Sequence, residues 1–136
     1  APARTRDVLA DLHGCMDVVL IDAPCTGSGT WRRNPDSKWR LRPAALQTRL
    51  QEQREALALA APLVKPGGRL AYVTCSVLPE ENEDQVAAFL AANDGFKPAH
   101  LRGGEVPGYA RGHAIQMTPL KTGCDGFFVA ALERTA

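Results

Sequence analysis

Two stretches decide the reading of this chain. One is Asp17-Val18-Val19-Leu20-Ile21-Asp22, which runs into Ala23-Pro24-Cys25-Thr26-Gly27-Ser28-Gly29. The other is Arg69-Leu70-Ala71-Tyr72-Val73-Thr74, which runs into Cys75-Ser76. Each is a short, nearly continuous apolar run, the pattern of a buried strand in a parallel sheet. In an open α/β sheet the carboxyl ends of the strands form the rim on which ligands bind. Cys25 and Cys75, each just past such an end, are therefore expected on one rim, facing one site.

Working outward, the order is strand, long loop, helix, strand, helix, an irregular stretch and a closing strand. Upstream, Thr5 as N-cap, Val8, Leu9 and Leu12 as apolar face and Gly14 as stop predict a short helix. Residues 26–42 form the long loop, and Pro43 is placed as the first residue of a helix reaching about Ala61. Leu46, Leu50, Leu57 and Ala61 lie near helical spacing on it. Pro62 ends that helix, and Pro66-Gly67-Gly68 is read as a turn into the second strand. A second helix is predicted from Pro79, with Glu80, Glu81, Glu83 and Asp84 at its positive amino end and Val86, Phe89 and Leu90 on its buried side. Residues 95–124 read mostly as loop, with a short strand around 96–101, and Phe127–Leu132 is the last strand. Strands alternating with helices give an α/β class with a parallel or mixed sheet.

Composition sets wide bounds. A chain of 136 residues, 45% hydrophobic and with a net charge of +1, suits one folded unit and makes no global case for nucleic acid or membrane. Nothing approaches the roughly 20 apolar residues that span a bilayer, and no leader opens the sequence, so a cytoplasmic location is the default expectation. In that setting the four cysteines are expected reduced.

A cysteine thiolate is a strong nucleophile wherever a covalent intermediate lowers a barrier. Cys75 stands between a strand end and a helix start, where backbone N–H groups favour the thiolate; a cysteine that merely caps a strand is the equal alternative. Asp22, before a rigid Ala-Pro turn, offers a carboxylate to a planar ligand or caps its own loop. Thr26-Gly27-Ser28-Gly29 lacks the Lys-Ser/Thr of a P-loop, which excludes a nucleoside triphosphate cradle. The loop Trp31-Arg32-Arg33-Asn34-Pro35-Asp36-Ser37-Lys38-Trp39-Arg40 sets Arg32, Arg33, Lys38 and Arg40 among two aromatics. That suits single-stranded or looped RNA, and equally a solvated loop with both tryptophans buried as anchors. No Cys-x-x-Cys or His-x-x-x-His spacing points to zinc.

Asp22-Ala23-Pro24-Cys25-Thr26-Gly27-Ser28-Gly29, followed by Arg32-Arg33-Asn34-Pro35-Asp36 and Lys38-Trp39, resembles the fourth motif of the RNA cytosine-5 methyltransferases. Tyr72-Val73-Thr74-Cys75-Ser76 with Pro79-Glu80-Glu81-Asn82-Glu83 resembles their sixth motif, and Asp125-Gly126-Phe127-Phe128 their closing strand. The nearest group is the bacterial Sun/Fmu or RsmB type, which modifies small-subunit ribosomal RNA. The resemblance spans residues 17–133. It implies a Rossmann-like fold that uses S-adenosylmethionine, with parallel strands, an antiparallel closing strand and helices on the faces. It makes Cys75 the nucleophile that adds to carbon 6 of cytosine, and Cys25 the group that helps break down the adduct. Asp22 is expected against the cytosine edge and the methyl donor, and the backbone of Pro24 against the base. Arg32, Arg33, Lys38 and Arg40 are expected against RNA.

The family's glycine-rich cofactor loop has no counterpart before Asp17. Residues 1–136 therefore read as a single partial domain, the carboxyl-terminal half of a catalytic domain. Its expected partners are RNA and the remaining half of the enzyme, and the isolated piece is expected to be inactive. Two rival readings remain. A cysteine hydrolase would need a histidine base for Cys75, and His13, His100 and His113 sit in no recognisable partner motif. A non-enzymatic RNA-binding module would need neither thiol.

Overall fold

The computed structural model describes residues 8–101, 109–111 and 113–135. The chain forms a mixed sheet of six strands in the order β1-β2-β6-β5-β4, with β3 also pairing with β6. β1 is Met16–Asp22, β2 Val64–Thr74, β3 Phe96–Pro98, β4 Tyr109–Arg111, β5 Ala114–Met117 and β6 Phe127–Arg134. β1 and β2 are parallel, as the two apolar runs predicted. β6 runs antiparallel to β2, and both β3 and β5 pair antiparallel with β6. Two helices of more than one turn are described, α1 (Pro43–Ala60) and α2 (Glu83–Ala92).

Period-two alternation sets one face of the sheet. Val19 and Ile21 of β1 lie opposite Leu70 and Tyr72 of β2, which lie opposite Leu132 and Ala130 of β6. Leu57 of α1 and Val86 and Phe89 of α2 join these residues in one core cluster. Burying each such side chain contributes about 1.5–3 kcal/mol. Tyr72 packs edge-on to Phe128, and its hydroxyl donates to the carbonyl of Glu81 at 2.7 Å. Val18 and Leu20 point to the other face and are 63% and 65% exposed. The apolar run of β1 is thus buried on one face only, and among the described residues no strand pairs with its second edge.

The second strand starts earlier than the turn signal indicated. β2 begins at Val64, and Pro66-Gly67-Gly68 is looped out inside it, between the pairs Met16–Val64 and Val18–Arg69. Gly67 takes φ +79°, and a Cβ at Gly68 would lie 2.9 Å from the carbonyls of Lys65 and Met16. The dipeptide therefore makes a bulge without ending the pairing. The predicted helix from Pro79 begins instead at Glu83, after a turn in which Glu81 N–H bonds the Leu78 carbonyl. Residues 95–124, read mostly as loop, supply three short strands and a helical turn at Pro119–Thr122. Short strands that pair only at a sheet edge leave little periodic signal. Of the first predicted helix, residues 8–10 are helical and Gly14 takes φ +70°, but Val8 and Leu12 are exposed. Thr5 lies outside the described residues.

Candidate active site

β1 and β2 end side by side, so the loops that follow them share one rim. The Ala23 N–H bonds the Val73 carbonyl at 2.9 Å, carrying the parallel pairing to the last residue before the turn. Two residues on, the Cys25 thiol reaches Cys75, and the sulfurs stand 3.2 Å apart. All four cysteines are free, and these two are half-buried.

A glycine crossing fixes the approach. Gly27 turns the chain through φ +73°, and Gly29 passes against two other loops. Gly29 N–H donates to the Cys75 carbonyl at 2.9 Å, and Gly126 N–H to the Gly29 carbonyl at 2.8 Å. A Cβ at Gly29 would sit 2.2 Å from the Gly126 oxygen and 2.8 Å from the Cys75 oxygen. Thr26-Gly27-Ser28-Gly29, which looks like a phosphate cradle, is thus a packing device that holds backbone against backbone.

Beneath the thiols lies a buried polar network centred on Glu81. This side chain was read from the sequence as a carboxylate at the amino end of a helix, and it is 0% exposed. It accepts from Thr26 N–H and Thr26 Oγ1 at 2.8 Å each, from Gln53 Nε2 at 3.2 Å, and from Ser76 Oγ. Gln53 Nε2 also donates to the Pro24 carbonyl at 2.8 Å, and Gln53 Oε1 accepts from Gln85. Asn82 accepts from Thr74 Oγ1 and donates to the Ser76 carbonyl and to Gln116. Buried polar groups are stable only when so paired. One signal was available: Gln53 falls on the apolar stripe of α1, four residues before Leu57, where a polar side chain needs a partner. Glu81 carried no such mark, since its turn and a helix amino end look alike in sequence.

The thiols are unlike electrically. The hydrogen bond from Cys25 brings the pKa of Cys75 down to about 7, against burial and the nearby carboxylates of Asp22 and Glu81. The same bond, with burial, pushes the Cys25 thiol far up. A donor thiol and an acceptor thiolate at neutral pH describe the pair, and a thiolate is the nucleophilic form.

The other predicted residues divide. Asp22 stands exposed at the end of β1, near enough to act on Cys75. Arg32 Nη1 donates to the Gly123 carbonyl at 3.0 Å, and Arg33 is paired with Asp125 at 2.6 Å, so both brace the turn before β6. Lys38 stacks over the Trp39 ring at 4.8 Å, and Trp39, expected as a buried anchor if the loop were merely solvated, is 72% exposed. Arg40 lines a cleft of about 250 Å³ with Cys25, Thr26, Ser37, Leu41, Ala45 and Arg49. Asp22, expected against the methyl donor, ends β1, a strand that among the described residues has no neighbour on its second edge, and as a carboxylate could form one wall of a donor site. That fits part of such a site, not the whole.

The mixed sheet, with its parallel pair and antiparallel closing strand, has the Rossmann-like fold of the S-adenosylmethionine-dependent methyltransferases. Residues 3–133 match the 16S rRNA methyltransferase RsmB/F family, and the chain belongs to it. It is similar to ribosomal RNA small subunit methyltransferase B of Cronobacter sakazakii, 43% identical over 117 residues, covering 86% of this chain and 26% of the relative. A Synechocystis protein named probable ribosomal RNA small subunit methyltransferase B is 38% identical over 122 residues, 88% of this chain and 27% of the relative. The chain thus spans about a quarter of the relatives' length. Among solved structures, that of PH0851 superposes with a TM-score of 0.82 at 45% identity, over 90% of this chain and 27% of that one. NSun6 from Pyrococcus horikoshii, solved with SFG, gives 0.72 at 26% identity, over 96% of this chain and 33% of that one.

Proposed function

We propose that this chain is the thiol-bearing portion of an enzyme that methylates carbon 5 of a cytosine in small-subunit ribosomal RNA. The observation that carries the proposal is the meeting of Cys25 and Cys75 at 3.2 Å, with only Cys75 poised as thiolate. In this reading the Cys75 sulfur bonds to carbon 6 of the ring, and the electrons of the 5,6 double bond shift toward carbon 5. When bound, S-adenosylmethionine, whose analogue SFG accompanies the NSun6 structure, would supply that carbon with its methyl group and leave as the neutral thioether S-adenosylhomocysteine. Asp22 and the free edge of β1 form the wall of the donor site that this chain holds. The remainder belongs to the larger enzyme, so the isolated chain is not expected to turn over.

The second thiol then has a timed task. While Cys75 is a thiolate, Cys25 keeps its proton, chiefly because it donates that proton to its neighbour. Once Cys75 is a neutral thioether, the largest cause of that shift is gone, and Cys25 becomes easier to ionise. It is then placed to take the proton from carbon 5. The 5,6 double bond re-forms, and the bond from carbon 6 to Cys75 breaks. The target base must leave its stack to reach this rim. In the cleft beside Cys25, where Arg49 is paired with Glu52, Arg40 gives its phosphate a cationic approach, and Lys38 with Trp39 offers a charge and a stacking face.

The test uses an enzyme that contains this chain together with its donor-binding portion. Cys75→Ala is expected to abolish both methyl transfer and RNA capture. Cys25→Ala is expected to accumulate a protein–RNA adduct that survives a denaturing gel, and the double variant none. Near wild-type methylation by Cys75→Ala overturns the nucleophile. Full turnover with no adduct in Cys25→Ala overturns the division of roles. An RNA-binding module without catalysis would leave RNA affinity unchanged in all three variants and show no methyl transfer in any.

A further inference from the structure

Glu81 is the one buried carboxylate among the described residues, and no cation pairs with it. Its hydrogen bonds fall on the residue that follows each active-site thiol. One oxygen takes the Thr26 N–H, the other takes the hydroxyls of Thr26 and Ser76. Gln53, which shares the first oxygen, holds the Pro24 carbonyl on the other side of Cys25. The Ser76 hydroxyl accepts in turn from Leu78 N–H and meets Ser28 Oγ at 3.0 Å, and Ser28 Oγ accepts from Val77 N–H. The two loops are thus stapled through one carboxylate at the positions that set where the sulfurs stand.

We propose that Glu81 is a positioning residue for the thiol pair: by binding Thr26 and Ser76 at once, it sets the separation of Cys25 and Cys75. A buried carboxylate is costly and persists where hydrogen bonds compensate it. Donors from both thiol loops give that compensation and tie it to one geometry. The inference rests on the two-thiol reading above. It concerns what holds the pair, so it can be tested without RNA or methyl donor.

The sign of the outcome discriminates. Cys75 is faced by the Cys25 thiol from the first loop, by Asp22 from the end of β1 and by Glu81 from its own loop, while Arg40 and Arg49 line the cleft that Cys25 opens onto. Glu81 as a mere negative charge raises the Cys75 pKa, so its removal would lower that pKa. Glu81 as the staple keeps the Cys25 donor in reach, and that donor is the largest cause of the lowering. Loss of the staple therefore raises the pKa toward the ordinary thiol value of about 8.5.

The experiment is site-resolved alkylation by iodoacetamide across pH, read at the Cys75 peptide by mass spectrometry, with the fold checked by circular dichroism. The wild-type midpoint is expected near pH 7. Glu81→Ala should move it up by about one unit or more, and Glu81→Gln, which keeps the volume and some of the bonds, by less. A folded Glu81→Ala with an unchanged or lowered midpoint overturns the proposal. Should that variant fail to fold, an unchanged or lowered midpoint in Glu81→Gln does so. Cys25→Ala separates the two levels. If it leaves the midpoint unchanged, the thiol–thiol bond itself is refuted. If it raises the midpoint while folded Glu81 variants do not, only the staple is.

Discussion

The loops that carry the thiols and the basic loop that follows them are built on opposite plans. Around Cys25 and Cys75 a connected run of paired polar side chains, most of them buried, extends from Gln53 on α1 through Glu81 to the half-buried Gln116 on β5. Between Trp31 and Arg42 most side chains are exposed, and two arginines reach across to the turn at Gly123–Asp125. The first plan suits a site where a small misplacement of sulfur costs rate. The second suits a surface that meets a partly unstructured polyanion, where charge matters more than exact position. The contrast also sorts the cations. Arg32 and Arg33 are engaged by the turn before β6, while Arg40 lines the cleft that Cys25 opens onto.

The contrast breaks most readily at Gly29. Any side chain there meets the backbone oxygens of Gly126 and Cys75, neither of which moves without disturbing β6 or the thiol loop. Gly29→Ala is therefore expected to cost about 3 kcal/mol, the upper end for overpacking a rigid site. Thermal unfolding followed by circular dichroism would show it. An equivalent change at Gly14 or Gly123, which have open space around them, should cost only the strain of a positive φ, about 1 kcal/mol. Equal losses at Gly29 and Gly123 would mean that the crossing is not tight.

A smaller effect is expected from the second thiol. With Cys25→Ala the largest cause of the lowered Cys75 pKa disappears, leaving burial and two carboxylates that oppose ionisation against one backbone hydrogen bond that favours it. The midpoint of Cys75 alkylation should rise above 7 by about one unit or more, which is about 1.4 kcal/mol of thiolate stabilisation per unit. The thiolate fraction at neutral pH falls accordingly, and the rate at pH 7 with it. No change would make the two cysteines independent despite their proximity.

Much of this was legible in the sequence, and the illegible part has a common cause. The β1–β2 pairing and the shared rim followed from two apolar runs ending in cysteine, and α1 from Pro43 and its leucine spacing. The antiparallel closing strand followed from the family resemblance at Asp125-Gly126-Phe127-Phe128. What stayed hidden depends on partners remote in sequence. Glu81 looks like a helix-end acid until Thr26 arrives beside it from 55 residues away. The pairing of Arg33 with Asp125, 92 residues on, leaves no mark in the basic loop itself. The β4–β5 hairpin is legible only as pairing, since strands of three and four residues leave little periodic signal.

The finest test weighs single charges. Arg33 is well exposed and its ion pair lies at the surface, where such pairs contribute about 0–1 kcal/mol. Because one oxygen of Asp125 is already buried without a partner, Arg33→Ala should fall near the top of that range and appear mainly as a lower melting temperature. Arg40 and Lys38 should behave the other way, with stability nearly unchanged and RNA affinity reduced. For a cytosine-rich single-stranded RNA, each phosphate that no longer meets a cation should flatten the slope of log affinity against log salt by about 0.7. Arg40→Ala and Lys38→Ala should each approach that value, while Arg33→Ala, whose charge is already engaged by a carboxylate, should fall well short of it. If Arg33→Ala flattens the slope as much as Arg40→Ala does, the basic loop acts as one undivided cationic surface. An unchanged slope in all three variants would return the loop to a solvated segment without a nucleic-acid role.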